Sequence, residues 1–128
     1  GTGSGILALA AARRGAARTA LDTDVDAVRA ARKAFDAHAV EVDLRQGGLD
    51  ALGDTARFDL ILANLAGEIH LGLCFLLPPR LAPGGVLVLA GILATEEERI
   101  RRAYEKRFAV EAIHREGDWV AIVLRAAA

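Results

Sequence analysis

Gly1-Thr2-Gly3-Ser4-Gly5 runs straight into Ile6-Leu7-Ala8-Leu9-Ala10-Ala11-Ala12. Three alternating glycines let the backbone turn tightly and lie close to a ligand. The apolar run behind them reads as a helix over Ser4 to Arg14, with Arg13 and Arg14 at its negative end and Gly15 as its stop. A helix start presents unpaired N–H groups, which suit an anionic or polar group. Arg18 to Leu21 then reads as a short buried strand, and it ends in a carboxylate, Asp22. An acid at a strand tip can accept hydrogen bonds from both hydroxyls of a ribose. Turn, helix start and acid together describe half of a nucleoside site. The strand that would lead into Gly1 is not in the sequence, so the first central strand is expected to be missing.

The rest of the chain continues as strands alternating with helices, the pattern of an α/β sheet. Asp24 is a candidate N-cap for a helix over Val25 to Ala37, where Val28, Ala31 and Phe35 share a face. Val40 to Leu44 alternates apolar and charged residues, as a strand near a sheet edge does. Gln46 to Arg57 is loop with one helical turn. Phe58 to Ala63 is almost continuously apolar, as a central parallel strand should be, and it ends at Asn64. Gly67 to Leu81 is mostly helical, with a break at Pro78-Pro79. Pro83-Gly84-Gly85 is a turn, and Val86 to Ala90 is another buried strand. Thr95 begins a helix with a capping box to Glu98, and Glu97–Arg101 and Glu98–Arg102 stand at pairing distance along it. Phe108 to Ile113 and Trp119 to Leu124 are joined too closely for a crossover, so they form an antiparallel hairpin. A mostly parallel sheet with this ending departs from dinucleotide-binding folds, whose last strands are parallel.

Composition narrows the function. The chain has 128 residues and a formal net charge of −1, so it is one domain's length with no basic stripe for a nucleic-acid backbone. A lone cysteine, Cys74, cannot form an internal disulfide and reads as a small buried hydrophobe. No apolar stretch approaches the roughly 20 residues that span a bilayer. His38, His70 and His114 are dispersed without metal-ligand spacing and read as surface or packing residues; no metal is expected.

The candidate site gathers residues from several strand ends. The glycine spacing is one residue tighter than the G-x-G-x-x-G of pyrophosphate binders, and it suits a cofactor without a pyrophosphate, such as S-adenosylmethionine. Asp22 is read as the ribose ligand, because open α/β sheets bind at the carboxyl ends of their strands. Asp24 and Asp26 are read as helix-capping residues. Asn64 could accept hydrogen bonds from an amine, or could merely cap the next helix. Gly48 and Leu49 could line an adenine, or form a plain turn. Trp119 is read as packing on the sheet.

These residues resemble one family. Gly1 to Ala8, Ala20 to Asp24, Asp59 to Leu65, Pro83-Gly84-Gly85, Ala90 to Leu93 and Glu116 to Ala121 follow the order found in PrmA-type enzymes. These methylate large-subunit ribosomal protein eleven. The glycine turn, the acidic strand end and the Pro-Gly-Gly turn are common to class I methyltransferases; the Gly91-Ile92-Leu93 and Glu116-Gly117-Asp118-Trp119 segments are narrower. The resemblance implies a class I methyltransferase fold, α/β and Rossmann-like: a doubly wound sheet, mostly parallel, with a C-terminal antiparallel hairpin. It implies a single domain over residues 1–128. S-adenosylmethionine would lie against Gly1, Thr2, Gly3 and Gly5, with its ribose on Asp22 and its adenine near Gly48 and Leu49. Asn64 would face the methyl and the acceptor nitrogen as the catalytic residue. The implied acceptors are lysine side chains and the α-amine of a ribosomal protein. The enzyme would be a cytoplasmic monomer that contacts neither membrane nor nucleic acid directly. The family carries an apolar strand ending in an acid before the first glycine, and a separate N-terminal recognition domain. Neither is in this sequence. Loss of a central strand would leave the chain marginally stable unless its two flanking strands closed on each other. Other readings are a class I enzyme with a small-molecule or nucleic-acid acceptor, a fragment that binds nothing, and a nucleotide-dependent oxidoreductase.

Overall fold

The computed structural model describes residues 1–3, 5–12 and 19–128. They form two compact units, Gly1–Asp54 and Thr55–Ala128.

The first unit contains α1 (Ile6–Ala12), β1 (Thr19–Asp22), α2 (Val25–Ala37) and β2 (Asp43–Gln46). The expected positions of Ser4, Arg13, Arg14 and Gly15 at the ends of α1 lie outside the described residues. β1 and β2 are parallel, with Thr19 opposite Asp43 and Asp22 opposite Gln46. α2 has the predicted bounds, and Asp24 caps it by accepting the Asp26 N–H at 2.8 Å. Ala31 and Phe35 on its inner face are fully buried and form a small core with Ala20 and Val42. Gly5 has to be a glycine: its φ is +83°, and a Cβ there would lie 2.7 Å from the Phe35 ring.

β2 begins three residues later than the sequence pattern suggests. The cause is the end of α2. Val40 N–H bonds to Phe35 O at 3.0 Å and Ala39 N–H to Asp36 O at 3.2 Å, which is a Schellman closure. Ala39 is left at φ +52°, where a glycine is usual. Residues 40–42 then bring the chain back to the sheet, and Val42 still reaches the core. The loop turn expected after Gln46 is a single 3₁₀ turn at Leu49–Ala51.

The second unit contains β3 (Phe58–Asn64), α3 (Gly67–Leu73), β4 (Leu81–Leu93), α4 (Glu97–Tyr104), β5 (Ala109–Glu116) and β6 (Trp119–Arg125). The sheet order is β3-β4-β6-β5. β3 and β4 are parallel; β4–β6 and β6–β5 are antiparallel. The period-two pattern buries Leu87, Leu89 and Ile92 of β4 and Val120, Ile122 and Leu124 of β6. Ile100 and Tyr104 of α4 are buried, and Cys74 is buried as predicted. The β5–β6 turn is two residues, Gly117-Asp118, with Gly117 at φ +57°, the place a type II′ hairpin gives to glycine.

Four expectations need correction. β3 is half-buried and not enclosed, and Leu60 is 46% exposed. The reason is that, among the described residues, β3 pairs only with β4 and β1 only with β2, the lost ladder partner expected where the first central strand is missing. Pro83-Gly84-Gly85 does not separate two elements; it is an outpouching of β4, since Phe58 pairs with Leu81 but Leu60 with Val86. α4 is not capped from Thr95: a 3₁₀ turn, Ala94–Glu96, precedes it, and Glu96 reaches back to the Leu93 N–H at 3.0 Å. Glu98 pairs with Arg102 as read, but Glu97 instead takes a two-pronged bond from Arg115 on β5, at 2.6 and 2.7 Å. That fork also holds the Glu97 carboxyl below its ordinary pKa, and it ties α4 to β5.

Candidate functional site

Within the first unit, the glycine turn and the tip of β1 are one assembly. Gly3, at φ +55°, donates its N–H to Asp22 Oδ2 at 3.0 Å. Asp24 N–H donates to Asp22 Oδ1 at 3.0 Å. Thr2 N–H bonds to Leu21 O at 2.7 Å, and Gly47 N–H to Asp22 O at 2.8 Å. Gly1 lies beside the Leu21 carbonyl and the Asp22 carboxylate. Asp22 thus gathers the turn, the start of α2 and the loop after β2, where Gly48 precedes the 3₁₀ turn that begins at Leu49.

The electrostatics of Asp22 follow from these bonds. Burial alone would raise its pKa. The backbone amides of Asp24 and Gly3, each donating to one of its oxygens, pull against burial, and the carboxyl lies below its ordinary value. Each oxygen accepts one described amide and keeps acceptor capacity for another donor. A side chain at Gly3 would point into open space, so the turn presents bare backbone. An ionised carboxylate beside exposed backbone suits a diol-bearing ligand.

In the second unit, Asn64 ends β3. It does not cap α3, whose N-cap is Ala66 with no side-chain bond. It lines an open cleft with Leu65, Ala66, Gly91, Glu116 and Trp119. Gly91 interrupts β4 at φ +76°, where one extra residue bulges out between Leu89 and Ile92 opposite β6. A Cβ on Gly91 would sit 2.6 Å from Asn64 Oδ1 and 2.8 Å from Leu65 O. The bulge therefore has to be glycine for the carboxamide to occupy its place.

Sequence reasoning underread two positions here. Trp119 is not packed on the sheet; it is 58% exposed on the wall of the Asn64 cleft. Its place in the Glu116–Trp119 segment was the available signal. His70 is fully buried and bonds through Nε2 to Ala90 O at 2.7 Å. Nothing in its sequence surroundings marks that. Burial pushes its imidazole below the ordinary value, against the pull of the Ala90 and Leu65 carbonyls and of Glu96. Of the predicted residues, then, Gly1, Thr2, Gly3, Asp22 and the Gly47–Gly48 loop come together, and Asn64 stands in the cleft of the second unit.

A glycine turn bonded to an acid-tipped strand, parallel strand pairs and a closing antiparallel hairpin define a class I methyltransferase fold. The solved structure of a ribosomal protein L11 methylase from Lactobacillus delbrueckii subsp. bulgaricus superposes with a TM-score of 0.93 at 30% identity, covering 100% of this chain and 68% of that one. A methyltransferase from Pyrococcus furiosus shares the fold, with a TM-score of 0.85 at 22% identity over 100% of this chain and 73% of that one. The family model for ribosomal protein L11 methyltransferase (PrmA) matches residues 1–127, and the chain belongs to that family. The ribosomal protein L11 methyltransferase of Pelobacter propionicus is 44% identical over 132 residues, covering 100% of this chain and 42% of that protein. The chain thus spans about two fifths of the length of the curated relatives it matches.

Proposed function

We propose that this chain is the catalytic part of an S-adenosylmethionine-dependent methyltransferase that acts on amino groups of ribosomal protein L11. The observation that carries the reading is the bond from Gly3 N–H to Asp22, which joins the glycine turn to an ionised strand-tip carboxylate. Family membership supports ribosomal protein L11 as the acceptor protein. The two units work as one cofactor-binding domain. The protein acts as a cytoplasmic monomer and needs no direct nucleic-acid contact.

The residues present suit this cofactor. Gly1 to Gly5 offer close-lying backbone to its amino-acid end, Asp22 accepts from the ribose hydroxyls, and Gly48 and Leu49 border the adenine. When bound, the cofactor supplies an activated methyl on a sulfonium, which passes to a nitrogen lone pair. The chain's task is to position the acceptor. Asn64 accepts hydrogen bonds from a neutral acceptor amine and aims its lone pair. Trp119, exposed on the same cleft wall, offers an apolar face to the acceptor's alkyl chain and a π-face to a cationic amine before it loses its proton. The proton released after transfer goes to water at the open mouth of the cleft.

Calorimetric titration of the natural full-length protein with S-adenosylmethionine tests the cofactor half. Saturable binding is expected, and it should be lost or strongly weakened in Asp22→Ala. No binding by the unsubstituted protein overturns the reading. Transfer of labelled methyl to ribosomal protein L11, abolished in Asn64→Ala with cofactor binding retained, tests the other half.

A further inference from the structure

We propose that His70 is a positioning residue, which holds the Ala90–Gly91 bulge of β4 as the backstop of the Asn64 carboxamide. The proposal deepens the methyl-transfer reading and rests on it for the role of Asn64.

Four contacts make a continuous chain. Tyr104 on α4 donates its hydroxyl to the His70 main-chain oxygen at 2.6 Å, joining α4 to α3. The His70 ring, with no exposed surface, crosses from α3 to β4 and meets Ala90 O at 2.7 Å through Nε2. The same carbonyl accepts the Leu65 N–H at 3.2 Å. The next residue, Gly91, stands against Asn64 Oδ1 and Leu65 O so closely that no Cβ could intervene. The Ala90 carbonyl is therefore the point where three segments meet: the end of β3, the bulge of β4 and the buried face of α3.

The cost of this arrangement argues that it does more than fill space. A phenylalanine or leucine would fill the volume without polar atoms. Here the second ring nitrogen, Nδ1, is buried and makes no hydrogen bond of good geometry among the described residues, although the Leu65 carbonyl lies near enough to pull on the ring. Buried polar atoms are normally satisfied. A half-satisfied imidazole is kept where its one good bond fixes something. What that bond fixes is the peptide next to Gly91, and with it the surface on which the Asn64 oxygen rests. In the neutral ring, donation from Nε2 to the Ala90 oxygen leaves the lone pair on Nδ1.

The test uses the natural full-length protein. In the unsubstituted protein, histidine ring nitrogen shifts should read His70 as the Nε2–H tautomer; the Nδ1–H tautomer overturns the proposal whatever the variants do. Asn64 is the only asparagine of these 128 residues, so its side-chain amide resonances can be followed once any others are assigned. In His70→Phe, which keeps a ring but loses the bond, those resonances should move or broaden. The kcat should fall about tenfold or more while both KM values stay within about twofold. His70→Gln, whose amide can still donate to Ala90 O, should recover most of the loss. A folded His70→Phe with unchanged Asn64 resonances and unchanged kcat refutes the positioning role. So does a kcat that falls only in step with thermal stability in both variants. If the unsubstituted protein transfers no methyl at all, the methyl-transfer reading fails, and the tautomer and the Asn64 resonances alone decide the role of His70.

Discussion

The two units hold their functional groups by different means. In Gly1–Asp54 the groups proposed to face the cofactor are backbone amides and one carboxylate, tied together by hydrogen bonds around Asp22, over a cluster of four buried apolar residues. In Thr55–Ala128 the proposed functional group is a side chain, Asn64, held by the shape of a four-stranded sheet and of a glycine bulge. Backbone recognition needs a particular conformation and little mass behind it. Aiming a side chain at a reacting atom needs a rigid wall. The contrast fits the larger number of buried apolar residues in the unit that carries Asn64.

The contrast can be broken most directly at Phe35. Its truncation to alanine removes the hub of the small core and should cost about 3–5 kcal/mol, more than a unit of this size is expected to hold in reserve. Hydrogen exchange should then show the amides of β1 opening while those of Leu87 and Leu89 stay protected. Opening of both together would show that the units are one cooperative block. Asp22→Ala comes next, since loss of a charge-assisted bond is worth about 1.5–3 kcal/mol. Cofactor affinity should fall by more than tenfold, with the melting of β3–β6 untouched. Gly91→Ala places a side chain at a positive φ and should cost about 1–2 kcal/mol in backbone strain. Because the new Cβ meets Asn64 Oδ1, turnover should fall much further than that strain alone implies, and cofactor affinity should hold.

The pH response should separate the units too. His70 has a folded pKa below the ordinary 6.5, so the protonated form is disfavoured in the fold. Its contribution is fully present above pH 6.5 and is lost as pH falls from there through the lower folded value. Asp22 is also depressed, from 3.8, so its contribution persists until the solution is more acid than that. Chemical denaturation of the second unit should therefore ease first as pH is lowered. The smallest effect is expected at Ala39→Gly, which relieves a left-handed alanine and should stabilise the first unit by up to about 1 kcal/mol.

Much of this was legible because it rests on local chemistry. The bounds of α2 follow from Asp24 and the spacing of Ala31 and Phe35, and the terminal hairpin follows from Gly117 between two apolar runs. Asp22 could be picked out because a carboxylate at a strand tip is a local pattern. What could not be read depends on distant partners. The run Phe58 to Ala63 looks enclosed, yet burial is decided by neighbours, and β3 has one. Glu97 has a suitable arginine on its own helix and pairs with Arg115, eighteen residues away. The late start of β2 depends on Ala39 taking a conformation alanine seldom takes. His70 is invisible in sequence because its only mark is a carbonyl twenty residues on.

The outpouching at Ala82–Gly84 sets where this protein can change length. Between Val86 and Leu89, β4 is clamped by register on both sides, and one residue gained or lost would turn Leu87 and Leu89 from the interior to solvent. At Ala82–Gly84 no residue of β3 stands opposite, so an insertion there only enlarges a protrusion. Tags, spliced peptides and natural length variation belong at that protrusion, and the stretch Val86–Leu89 beyond it should be invariant in length.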